Sequence, residues 1–201
     1  MDLPRALAQI GEIHALLGRS AVYRGYRSVP VAASGIVGFA AAALQPASSR
    51  STDQAGFVAY WTAVAAIAAA IGSSEIFYNY FARDDRAERR KTREAVGQFL
   101  PGVIAGTLLT IAFAALDAGP IRLLPALWAF CFALGTFASV PYVPRAGLWV
   151  GWYYLAAAAA LLWIAAEPSD LTGWHVGCVF GTGQVLAALV LYLKIERRFE
   201  P

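Results

Sequence analysis

Few side chains in this sequence could do chemistry, and they stand far apart. Glu75 is the only carboxylate within an apolar segment, with Asn79 one helical turn on and Gln98 opening the next apolar run. A carboxylate placed in a membrane is costly, so where one occurs it points to proton or ion handling. Glu75 follows Phe57 by 18 residues, about 27 Å of helix, which carries it to the end of its segment beside a basic stretch. The simpler reading is a headgroup-level carboxylate that pairs with an arginine of that stretch. The sharper reading joins Glu75, Asn79 and Gln98 into a polar mouth.

Gln184 is the second polar candidate. It lies 11 residues after Gly173, about 16 Å along a helix and therefore near a bilayer midplane. Gly173, Gly177, Gly181, Gln184 and Ala188 recur every three or four residues and share a helix face. Small residues on such a face let a neighbouring backbone approach, and an amide can then bond across the seam. Packing is the plainer role for this stripe, and the alternative is a ligand or proton pathway lined by Gln184. Leu186, Leu189 and Leu193 supply the greasier opposite side.

The remaining candidates are weaker. His14 and His175 fall on opposite sides of the membrane in the topology below, so they cannot share a haem, and His175 reads as interfacial beside Trp174. Cys131 and Cys178 lie inside apolar segments, at no metal-ligand spacing, and read as small buried residues. The sequence contains no Ser-His-Asp set, HExxH motif, phosphate-binding glycine loop or paired carboxylate. The expectation is a protein without enzymatic chemistry, metal or cofactor.

The elements that must hold these residues follow from composition. The chain of 201 residues is 59% hydrophobic and 14% charged, against about 45–50% and about 25% for soluble domains. Its mean hydropathy is +0.55. Apolar runs at 29–45, 57–80, 98–116, 123–140, 147–165 and 173–193 predict an all-α bundle of six transmembrane helices at 29–193. The first run is short for a bilayer, Pro101 falls in the first turns of the third, and Pro141 and Pro144 bracket a turn. Residues 1–28 form a cytoplasmic segment whose apolar stripe from Leu3 to Ala21 predicts an amphipathic helix lying along the membrane. Residues 194–201 form a cytoplasmic tail. The polar N-terminal stretch also argues against a cleavable signal peptide.

Aromatic belts complete the picture. Phe57, Tyr60 and Trp61 read as an outer belt. Phe77, Tyr78 and Tyr80, with Trp149, Trp152, Tyr153 and Tyr154, read as an inner one.

The stretch Phe81–Glu94 reads as a basic loop, with six of the chain's 16 Lys and Arg residues. With that loop inside, only Arg50 and Arg122 of those 16 lie outside. This asymmetry places both termini in the cytoplasm. The cations flank apolar segments, which suits anionic headgroups and speaks against nucleic acid.

Three short stretches carry a resemblance: Glu12-Ile13 with Arg19-Ser20, Leu124-Pro-Ala-Leu-Trp128, and Phe180-Gly-Thr-Gly183. In these the chain resembles a group of uncharacterised bacterial six-span inner-membrane proteins, whose members often carry His at the position of Gln184. The resemblance implies six spans and an inner-membrane location, and it supplies no activity.

Two functional readings follow. The favoured one is an accessory or partner-binding membrane subunit, meeting the bilayer and a membrane or cytoplasmic protein through residues 1–28 and 82–95. The other is a small transporter or binder of an apolar molecule, which an enclosed pocket lined by Gln184 would favour.

Overall fold

The computed structural model describes residues 27–45, 54–82, 86–115, 120–142, 145–166 and 172–197. Among them it contains six long helices and no strand. They are α1 (Ser28–Leu44), α2 (Gln54–Ala82), α3 (Arg86–Ala115), α4 (Leu124–Ser139), α5 (Gly147–Ala166) and α6 (Gly173–Leu191). A 3₁₀ turn, Ile121–Leu123, leads into α4 and another, Val140–Tyr142, follows it. One π-turn, Tyr192–Glu196, extends α6. Five of the helical stretches are long and apolar enough to cross a membrane, the architecture of a multi-pass membrane protein. Helix α1, with 17 residues, is the short one. The N-terminal amphipathic stretch lies outside the described residues.

The helices form a ring in chain order, closed by α1 against α6 in the most extensive contact of the bundle. Glycine makes that closure possible. A Cβ added at Gly177 would lie 2.7 Å from the Gly38 carbonyl oxygen, and one at Gly35 would lie 2.9 Å from that of Gly181. Gly181 in turn lies beneath the Phe39 ring. Gly173, Gly177, Gly181 and Ala188 are all buried, whereas Leu189 and Leu193 on the other side are exposed. The two backbones therefore meet along antiparallel stripes of small residues, the arrangement that gives dispersion its shortest distances in lipid.

A similar approach joins α3 to α4, where a Cβ at Gly102 would lie 2.7 Å from the Cys131 carbonyl oxygen. Rings then fill the space between helices. Phe99 of α3 meets Phe132 of α4 edge-on at 5.0 Å, and Phe132 packs on Tyr154 of α5 at 4.5 Å. Phe180 of α6 closes the set, 6.0 Å from Phe132 and 5.6 Å from Tyr154. A second cluster gathers Ala41, Ala42, Phe57, Val58, Trp61, Ile121, Leu124 and Val176 near the opposite end of the ring.

Three expectations are corrected here. Most of the basic stretch is helix and not loop: α3 begins at Arg86, so Arg86 to Glu94 form its first turns. Arg, Lys, Glu and Ala are strong helix formers, and Arg90 pairs with Glu94 one turn on at 2.8 Å. Pro101 consequently lies well inside α3 instead of in its first turns. The aromatic belts are also thinner than expected. Phe57 and Trp61 are core residues, Tyr154 is fully buried, and Tyr60 and Tyr153 bond to neighbouring helices. Phe77, Tyr78, Trp149 and Trp152 remain exposed.

The α1–α6 seam yields the first prediction. Gly177→Leu, forced against backbone, should lose about 3 kcal/mol or more of stability. Leu189→Ala, on the exposed face, should stay within about 0.5 kcal/mol. Unfolding of the purified variants in mixed micelles measures both, and equal losses would contradict this packing.

Candidate functional site

The polar groups of the bundle gather where α5 meets α6. Tyr153 and Tyr154 are consecutive on α5, and both hydroxyls turn toward the α6 backbone. Tyr153 Oη donates to the Val179 carbonyl oxygen at 3.0 Å, and Tyr154 Oη approaches that of Phe180 at 3.4 Å. The side chains of Thr182 and Gln184 lie close to the hydroxyls of Tyr153 and Tyr154 respectively. An unpaired hydroxyl or amide at this depth would cost several kcal/mol, so each group needs the other.

Gly183 makes room for this cluster. A Cβ there would overlap the Tyr154 ring and hydroxyl, so only glycine lets that ring reach the α6 backbone. On the far side of Gln184, its Cβ would lie 3.1 Å from a Cβ added at Gly35 of α1. Gln184 is thus packed between α1 and α5, half-buried, with its side chain beside Tyr154. Sequence reasoning singled out Gln184 and missed Tyr154. The usable signal was Gly183, the fourth glycine of α6 and the one off the main stripe, which marks a close approach on a second side of the helix.

The Glu75 site is assembled differently. Glu75 Oε1 pairs with Arg27 Nε at 3.1 Å, so its partner precedes α1 and does not come from the basic stretch. Gln98 on α3 is exposed, and no hydrogen bond joins it to Glu75. The side chain of Asn79 lies outside the described residues. Glu75 thus belongs to the α1–α2 seam, together with buried Ser34 packed near Gly72 and the bond from Tyr60 Oη to the Ala41 carbonyl oxygen at 2.7 Å. Arg27 is largely solvent-exposed, so the ion pair contributes no more than about 1 kcal/mol.

His175 has a structural use. Its Nδ1 accepts from the Thr172 backbone N–H at 3.0 Å while the His175 backbone N–H donates to the Thr172 carbonyl oxygen at 3.0 Å, closing the start of α6. Cys131 is buried, as expected, but Cys178 is exposed. It lines a groove of about 380 Å³ between α5 and α6 with Ala157, Ala160, Ile164 and Trp174. That groove faces outward, and Gln184 is not part of its wall. Among the described residues no three His, Cys, Asp or Glu side chains are grouped to hold a metal ion. Trp61 carries the one buried side-chain polar atom without a partner among the described residues, its Nε1.

The arrangement can hold helices together through donor side chains and glycine-thin contacts. Tyr154→Phe should therefore cost about 0.6–2 kcal/mol by leaving the Gln184 amide short of a partner. Gly183→Ala should cost more, because ring and backbone must part. Unfolding midpoints of the two variants test the order, and a milder Gly183→Ala would refute it.

Comparison of the chain with protein-family models, with curated proteins and with solved structures gives no match.

Proposed function

We propose that the chain is a six-span membrane subunit that acts by association and carries out no reaction of its own. In this reading both termini are cytoplasmic, the membrane is the bacterial inner membrane, and α1 is the sixth span despite its length. The partner surface is the basic end, residues 1–28 together with 82–95. One observation carries the proposal: Gln184, the residue whose sequence position predicts a midplane amide, is packed between helices. Its side chain lies beside Tyr154, its Cβ meets α1 at Gly35, and the groove between α5 and α6 excludes it. A pathway through the bundle would need that amide turned toward an open space. Support for the orientation comes from the sequence, whose segment order assigns 14 of the 16 Lys and Arg residues to one side and only Arg50 and Arg122 to the other.

Gln184→Leu tests the proposal in cells. The account expects stability to fall by no more than about 2 kcal/mol, and any growth phenotype to follow the amount of protein. Loss of phenotype-rescuing ability with normal abundance would assign Gln184 to a pathway and overturn the reading. Orientation is tested by labelling intact cells with an impermeant maleimide. Ser48→Cys should react from outside and Arg90→Cys should not, and the reverse pattern would invert the topology.

A further inference from the structure

We propose that the outward face of the first turns of α3 binds the headgroup of an anionic phospholipid. Arg86, Arg89, Arg90 and Arg93 stand at i, i+3, i+4 and i+7, and the segment is helical, so these positions share a face. Thr92 and Ala95, which lie away from that face, are buried, while Arg90 and Arg93 are exposed. The helix therefore packs on its Thr92 side and turns Arg90 and Arg93 outward.

Depth decides what those arginines meet. Val96 to Ala115 is an apolar run of 20 residues, about 30 Å of helix, which matches the hydrocarbon thickness. Arg93 then stands about 4–5 Å beyond the hydrocarbon and Arg90 about 9 Å. The polar layer on each side is about 5–8 Å deep, so Arg93 stands within it and Arg90 at its outer edge. A second observation gives the same level. The Arg89 guanidinium lies 5.6 Å from the centroid of the Tyr80 ring, beside exposed Phe77, Tyr78 and Phe81. Aromatic residues mixed with arginine are typical of the headgroup layer.

Charge completes the match. Of the carboxylates described at this end, Glu75 is paired with Arg27 and Glu94 with Arg90. No carboxylate among the described residues pairs with Arg93. Arginine presents a planar fork that suits phosphate oxygens. A soluble partner would have to enter the headgroup layer to reach the same arginines. The inference stands apart from the proposed function, since a lipid could hold α3 in a protein of either class.

The test is native mass spectrometry of the full chain in mild detergent, titrated with phosphatidylglycerol, phosphatidylcholine or inorganic phosphate. The variants are Arg90→Gln/Arg93→Gln, Arg90→Lys/Arg93→Lys, and Arg122→Gln at the opposite end as control. Arg90 and Arg93 are exposed, so the double variant should melt like the parent, and melting is checked beside each titration. The expected result is phosphatidylglycerol binding weakened roughly tenfold or more in the double Gln variant. Partial retention in the Lys variant and no change in Arg122→Gln belong to the same expectation. Unchanged phosphatidylglycerol affinity in the double Gln variant would overturn the proposal, as would equal binding of phosphatidylcholine. Tight binding of inorganic phosphate alone would replace the lipid with a free anion. Protection of the two arginines from phenylglyoxal by a cytosolic fraction but not by lipid would assign the surface to a protein.

Discussion

The bundle depends on how closely α1 can approach α6. In a bilayer the hydrophobic effect does not draw helices together, because lipid tails are as apolar as leucine. What remains is dispersion, which fades within an ångström of separation, and hydrogen bonding. Gly35, Gly38 and Ala42 on one helix and Gly173, Gly177 and Gly181 on the other remove the side chains that would hold these backbones apart. This contact joins the first and last helices in sequence, so it closes a ring that chain connectivity alone would leave open.

The other seams use the second means. Tyr60 bonds from α2 to an α1 carbonyl, and Trp128 Nε1 donates from α4 to Thr110 Oγ1 of α3 at 2.8 Å. Tyr153 and Tyr154 do the same from α5 to α6. In each case a ring brings apolar surface and a single donor, which satisfies the donor while filling the gap. α6 therefore carries glycine on two sides, one for α1 and one for Tyr154, and Gln184 lies where those sides meet. A polar residue in this position touches α1 and lies beside Tyr154 of α5, which places it to fasten three helices.

Hydrophobic run length made the helices legible, and the 173–181 glycine spacing announced a close approach. The identity of the neighbour was harder to see. Gly35, Gly38 and Ala42 repeat a compatible spacing in the first segment, but a helix face in sequence does not name its partner. Aromatic residues misled for a related reason. A tyrosine near a helix end reads the same whether its hydroxyl meets a headgroup or a carbonyl on the next helix. Glu75 found Arg27 because a helix pair brings together residues far apart in sequence. The helical start of α3 was within reach, since Arg, Lys, Glu and Ala favour helix. High charge speaks of hydration, however, and says nothing against an α-helix.

The closure of the ring can be measured most directly in native membranes. With Cys131 and Cys178 replaced by alanine, Val31→Cys and Ala188→Cys are introduced together and oxidised without extracting the protein. Val31 of α1 and Ala188 of α6 pack in one buried cluster, and neither replaces a glycine of the seam, so the pair reports the approach of the two helices. The account predicts rapid crosslinking within one chain, and none for Ala42→Cys with Leu189→Cys. Absence of the 31–188 crosslink, or its appearance between chains only, would contradict the closed ring.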